Sequence, residues 1–374
     1  MKLKLYSDRS LLQPGMMPSA ILFPFWRDLY SSQLFGWKSA YDRYVEMGRS
    51  MFELTSLEDA DFAVLPFDWR EVRGDSWRTP IHRSLQDVAI QFAERVKDKP
   101  LVIFFGSDCS DEKIPIENAI VFRQSAYRSS AAPNSFVFPF FCEDYIEEYF
   151  QGELPIRPKQ EKPTVGFCGF ARPLSIRRRL QTPLYYAYRL ATQGKIGASL
   201  YKGQSLRYSV LKLLSNHSGI KTNFIIRDRA VFFHAPDPDE KQRARMEFVE
   251  NMTESDYVFC CRGAGNYSNR LYEVLSCGRI PVLLNTDCEM PLEPWIDWKK
   301  YCVWVEEKDL PNLGEKIVEF HQSLSAEDFV DLQYECRSLW KQWLSPEGFF
   351  ENFDRCFLPE RQLVNYLGVN HVSL

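Results

Sequence analysis

The chain has 374 residues, 45% of them hydrophobic and 26% charged, which is enough for two buried cores and excludes a disordered or low-complexity protein. A net charge of −4 provides no overall field for nucleic acid, although the stretch from Arg172 to Ala235 holds twelve Lys or Arg against one acid, Asp228. No run approaches the ~20 apolar residues that cross a bilayer, and "MKLKLYSDRS" lacks a signal-peptide core, so the expectation is a soluble, cytoplasmic protein, with peripheral contact at the inner face of a membrane left open.

Taken in chain order, short apolar runs at 3–7, 62–67, 101–106 and 119–123 predict strands of a parallel sheet buried on both faces. Between them, Ile81, Leu85, Val88, Phe92 and Val96 recur at helical spacing and predict a helix over 77–97. The stretch 152–163, "GELPIRPKQEKP", has three prolines and no apolar period, and reads as a linker. The alternation then restarts. Strands are predicted at 164–170, 223–227, 256–261, 280–285 and 302–305, with helices at 174–190, 239–252, 268–277 and 310–323. The expected organisation is an α/β domain over 1–158, a second over 159–345, and a C-terminal segment, 346–374, packing back on the first. Ten cysteines without a C-x-x-C pair, several inside apolar runs, are expected as free thiols.

The stretch 252–281, "MTESDYVFCCRGAGNYSNRLYEVLSCGRIP", carries the chemistry. An apolar strand enters Arg262-Gly263-Ala264-Gly265 and leaves into a helix opened near Ser268. Glycines let backbone N–H groups approach an anion, and the helix N-terminus adds partial positive charge. Ser268 either caps the helix or donates its hydroxyl to a phosphate. Glu273, one turn further on, is either an acceptor for two ribose hydroxyls or a solvated helix carboxylate. The same stretch nearly satisfies G-x-G-x-x-G, with Ser268 at the third glycine and Asp287 beyond the next strand. A nicotinamide-dependent dehydrogenase is the rival that this suggests, but that fingerprint normally opens a domain at its first strand.

Here a resemblance becomes specific. Met-x-x-Ser, an apolar strand, Arg-Gly-x-Gly-x-x-Ser-x-Arg-Leu-Tyr-Glu and Gly-x-Ile-Pro-Val resemble the signature of the exostosin family. Asp297-Trp298, "VWVEEKDLPNL" and the upstream "VGFCGFARPLSIRRRL" resemble it too. The likeness is close over about 163–323 and loose before it. It implies a GT-B fold, two Rossmann-like domains facing across a cleft, with a sugar nucleotide on the C-terminal one. It also implies an inverting glycosyltransferase that moves a sugar from a uridine diphosphate sugar to a saccharide or lipid-linked saccharide hydroxyl, in polysaccharide or glycoconjugate synthesis. No cofactor and no metal is implied. Residue by residue, the resemblance makes Arg262 and Arg270 donor-site arginines, with Gly263 and Gly265 in the turn, Ser268 a diphosphate contact and Glu273 the ribose carboxylate. Arg172 and Arg177, just past the first strand of that domain, join them as diphosphate partners. Part of the run Arg177–Arg179 is expected to face water. Exostosin-like proteins also work in pairs, so a homo- or hetero-dimer and a catalytically inactive sugar-nucleotide-binding subunit stay open.

The catalytic base is expected from the N-terminal domain. Asp108, directly after the strand at 101–106, is the first candidate, with Asp144 and Asp68 as alternatives; each is also a natural loop cap. The Asp-x-Asp pairs Asp59-Ala-Asp61 and Asp237-Pro-Asp239 read as structural rather than as metal ligands, the second as a helix cap.

Overall fold

The computed structural model describes residues 2–30, 40–76, 79–117, 119–193, 202–228 and 237–356. The chain forms two compact α/β units. One comprises Met1–Glu143, Asp287–Ile296 and Lys341–Leu374, and the other Asp144–Thr286 and Asp297–Trp340. The first division therefore falls ahead of the expected linker. The stretch 152–163 belongs to the second unit because its polar groups are engaged there. Arg157 pairs with Asp256 at 2.7 Å, Gln333 bonds both the N–H and the carbonyl of Arg157, and the buried Arg279 donates to the Pro155 carbonyl. The described part of the 346–374 segment lies in the first unit, and residues 357–374 fall outside the described residues.

The first unit holds six parallel strands: β1 (Leu3–Tyr6), β2 (Phe52–Leu54), β3 (Phe62–Val64), β4 (Leu101–Phe105), β5 (Ile120–Arg123) and β6 (Ser135–Val137), in the order β2-β1-β3-β4-β5-β6. Two of these, β2 and β6, extend the predicted set. Helix α1 (Asp42–Met51) runs directly into β2. Helix α2 (Arg83–Arg95) buries Leu85, Ala89 and Phe92. It starts later than its predicted bounds because His82 caps it, and Ile81 is left exposed. Strand alternation sends Ile103 and Phe105 of β4 into the core with α2, Phe67 and Trp69. Phe104, between them, joins an aromatic cluster with Phe122 and Phe353.

The second unit begins with α3 (Tyr145–Phe150). It holds five parallel strands: β7 (Thr164–Phe170), β8 (Lys221–Arg227), β9 (Tyr257–Cys260), β10 (Ile280–Asn285) and β11 (Val303–Glu306), in the order β11-β10-β9-β7-β8. Its longer helices are α4 (Ile176–Gln193), α5 (Lys202–Ser215), α6 (Pro238–Thr253), α7 (Asn269–Ser276), α8 (Leu313–Ser323) and α9 (Ala326–Leu339). Asp237 caps α6 by accepting from the Asp239 N–H, the structural role expected of that pair. In the other pair, Asp61 accepts from the Lys4 N–H at 2.7 Å.

Both sheets share one logic. The chain goes outward from the first strand of its unit, then crosses back to that strand's other side. The reversal lies between β1 and β3 in the first unit and between β7 and β9 in the second. Such switch points open a crevice at the carboxyl ends of the strands, which is where open α/β sheets take ligands. No helix among the described residues is long and apolar enough to cross a membrane. The nine cysteines with described side chains are buried free thiols.

Candidate functional site

The turn 262–268 lies at the carboxyl end of β9, beside the end of β7, and so at the second unit's switch point. Its shape is fixed from inside. Arg262, 1% exposed, donates to Asn266 Oδ1 at 3.0 Å and to the Ala264 carbonyl at 3.1 Å. Thr286 Oγ1 donates to the same Asn266 oxygen, and the Gly263 N–H donates to the Tyr267 carbonyl. Helix α5 closes on the turn. Arg207 donates to the Arg262 carbonyl, and a Cβ on Gly203 would sit 2.3 Å from that oxygen. Arg262 is thus placed to hold the turn's backbone rather than to extend from it.

Ser268 occupies the N-cap position of α7, but its side chain makes no capping hydrogen bond. Of its two expected roles, the hydroxyl does not perform the first. Gly265 is buried and Gly263 half-buried in the same turn.

Arg270, in the first turn of α7, reaches across to β7. Its guanidinium lies over the rings of Phe167, at 4.3 Å, and Phe248, at 5.3 Å, and donates to the Cys168 carbonyl. Its Nε is buried and has no hydrogen-bond partner among the described residues. A Cβ on Gly169 would come within 2.9 Å of this guanidinium, and Gly169 has φ +153°, so the glycine leaves room for the arginine.

Glu273 is 5% exposed, which rules out a solvated helix carboxylate. Tyr145, from α3, donates to its Oε1 at 3.2 Å and is its only hydrogen-bond donor among the described residues. Burial pushes the Glu273 carboxyl above the usual carboxylate range, while the Arg270 and Arg245 guanidiniums and the Tyr145 hydroxyl pull it back. Arg245, in α6, lies over the Tyr145 ring at 4.7 Å and donates to Tyr149 Oη at 3.1 Å. Tyr145 and Arg245 were not among the expected site residues. Arg245 did leave a signal. It shares the inward phase of α6 with Val249 and Met252, where a charged residue needs a partner.

Arg172 and Arg177 follow β7 and are exposed. Arg172 stacks on Phe170 at 5.2 Å, and Arg177 sits in the first turn of α4; the side chains of Arg178 and Arg179 fall outside the described residues.

Residues 190–320 match the profile of the Exostosin GT47 domain, which contains this turn, α7 and Glu273. Over these residues the chain resembles the exostosin-like glycosyltransferases. Exostosin-1 of Drosophila melanogaster is 29% identical over 107 residues, 29% of this chain and 14% of that protein. A probable glucuronosyltransferase of Oryza sativa subsp. japonica is 36% identical over 66 residues, 18% of this chain and 16% of that protein. The matched stretches are thus small parts of both relatives. A glycosyltransferase from Rickettsia africae ESF-5, 8% identical, covers 97% of this chain and 99% of its own with a TM-score of 0.34, too low to carry a conclusion.

The three expected base candidates lie in different settings. Asp144 caps α3, accepting from the N–H groups of Ile146 and Glu147, and both its oxygens pair with Arg337 at 2.7 Å. That carboxylate is structurally committed, and it belongs to the second unit rather than the first. Asp108 is half-buried in the turn after β4. Asp68 follows β3 at the first unit's switch point. It accepts from the Arg70 N–H at 2.8 Å and from the Gly106 N–H at 3.0 Å, and burial pushes its carboxyl up to about 7.

Proposed function

We propose that this chain transfers a sugar from a uridine diphosphate sugar to a saccharide hydroxyl, with inversion and without a metal ion. The observation that carries the reading is the anion-ready turn at the second unit's switch point. There a Ser268 hydroxyl that does not cap α7, the N-terminus of α7 and an Arg270 Nε without a partner among the described residues belong to one motif. Glu273 Oε1 already receives Tyr145, and its carboxylate has acceptor capacity left for ribose hydroxyls. Arg172 and Arg177 bring exposed positive charge to the end of β7. Together these arginines offset the two charges of a leaving diphosphate, the task a divalent cation performs in metal-dependent relatives of this chemistry.

In the transfer, an acceptor hydroxyl oxygen attacks the anomeric carbon from the face opposite the diphosphate. The carbon–oxygen bond to the diphosphate breaks, and the hydroxyl proton passes to a base. Asp68 suits that base better than Asp108 or Asp144. Its carboxyl titrates near neutral pH, its position is fixed by two backbone amides, and it stands at a strand end where ligands gather. The first unit would then serve the acceptor.

Titration calorimetry with uridine diphosphate tests the donor half. Affinity is expected to be equal, within about threefold, in EDTA and in Mg²⁺, because bidentate guanidiniums rather than a cation hold the phosphates. Binding seen in Mg²⁺ alone would remove the metal-independent reading. Glu273→Gln is expected to weaken uridine diphosphate by roughly ten- to a hundredfold, the worth of a hydrogen bond to a charged acceptor, about 1.5–3 kcal/mol. An unchanged affinity would confine Glu273 to its contacts with Tyr145 and Arg270.

A further inference from the structure

The carboxylate of Glu273 is aimed by a residue from another helix. Tyr145, fully buried at the start of α3, donates its hydroxyl to Oε1 at 3.2 Å. A glutamate side chain has several staggered rotamers, and this one hydrogen bond selects among them while leaving Oε2 for a ligand. The two helices that supply the pair are also clamped together. Arg337, buried on α9, donates from Nη2 to both oxygens of Asp144, the N-cap that directly precedes Tyr145. From Nη1 it donates to the Ser276 carbonyl, at the end of α7, at 2.6 Å. A single guanidinium therefore ties the helix that carries the hydroxyl to the helix that carries the carboxylate.

The tyrosine ring is fixed as closely as its hydroxyl. Arg245 lies over it at 4.7 Å, Tyr149 stacks on it at 6.0 Å, and Phe248 meets it edge-on at 6.5 Å. Phe248 also lies under the Arg270 guanidinium, at 5.3 Å. Arg245 and Phe248 stand at i and i+3 of α6, so one face of that helix braces both Tyr145 and Arg270. A buried carboxylate with one neutral donor among the described residues is under-satisfied, even with guanidiniums nearby. An apolar pair of the same shape would pack at no greater cost, so packing alone gives no reason for this one. We propose that Tyr145 is a positioning residue of the nucleotide site, its hydroxyl holding the Glu273 carboxylate in the orientation that receives the ribose hydroxyls. This role rests on the assignment of Glu273 to the ribose. The Arg337 clamp keeps the hydroxyl within reach.

Titration calorimetry on the full chain tests the role. Tyr145→Phe keeps the ring and its contacts with Arg245 and Phe248 and removes only the hydroxyl. It is expected to weaken uridine diphosphate roughly three- to tenfold, the worth of one hydrogen bond. In a Glu273→Ala background the same change is expected to cost less than about twofold, because the hydroxyl acts only through that carboxylate. The dideoxy analogue of uridine diphosphate, which lacks both ribose hydroxyls, is expected to bind wild type and Tyr145→Phe alike. That comparison needs only the near-isosteric variant, and so decides the matter even if Glu273→Ala folds poorly. Wild-type affinity of Tyr145→Phe for uridine diphosphate overturns the proposal. So does an equal loss with and without Glu273, or with and without the ribose hydroxyls, either of which makes Tyr145 a core residue alone. Failure of the ribose assignment itself looks different: a folded Glu273→Ala then binds uridine diphosphate as tightly as wild type, and the positioning role falls with it.

Discussion

Two backbone amides converge on the carboxyl of Asp68, those of Arg70 and Gly106, yet its burial outweighs both and lifts it to about 7. In the unfolded chain an aspartate titrates near ~3.9. Between these values the folded protein holds a proton that the unfolded chain has released. The Asp68 contribution to stability is therefore complete below about pH 4 and is lost as pH rises through about 7. Burial also raises Glu289, to about 7, so the wild-type trend is shared between them. Asp68→Asn removes one share. Its melting temperature relative to wild type is expected to climb from pH 5 to pH 8, and a difference that stays flat across that range would return Asp68 to an ordinary carboxylate. If Asp68 is also the base, the same variant lowers transfer by roughly two to four orders of magnitude, against little change for Asp108→Asn.

At the scale of elements, what could be read in advance was what local chemistry punctuates. The glycines of 262–265 and the polar Ser268 mark the passage from β9 to α7, and the structure starts α7 at Asn269. Strands β4, β9 and β10 announced themselves as continuous apolar runs, because each is buried on both faces. Strands β2 and β6 have three residues each, too few to display a period, and exist through pairing with β1 and β5. Helix α9 lay outside the expectations, although its capping box, Ser325 with Asp328, is a signal that sequence can carry. The site divides in the same way. Turn, serine and arginines lie within one short stretch and could be read together. The hydroxyl that holds Glu273 comes from Tyr145, 128 residues away, and no local pattern links them. The prolines of 152–163 suggested a linker, whereas Arg279 and Gln333, far downstream, decide that the stretch is built in.

At the scale of the whole chain, neither unit is a continuous half. The first unit is completed by residues that follow the second, among them α10 (Pro346–Glu351) and the turn Phe353–Cys356. Phe349, Phe350 and Phe353 are at most 2% exposed. Phe350 stacks on Tyr44 of α1, and Phe353 stacks on Phe122 of β5 and Phe104 of β4, so the last described turn fills the core beneath the first unit's sheet. Truncating one buried Phe to Ala costs about 3–5 kcal/mol, and a domain's whole stability is about 5–15 kcal/mol. Phe353→Ala is therefore expected to lower stability by about 3–5 kcal/mol in denaturant titration. A chain ended at Ser345 is expected to lose hydrogen-exchange protection throughout β1–β5, even though every strand of that sheet is still encoded. Retained protection in the shortened chain would mean that the sheet's other partners suffice, and that α10 is an appendage rather than the closing piece of the first core.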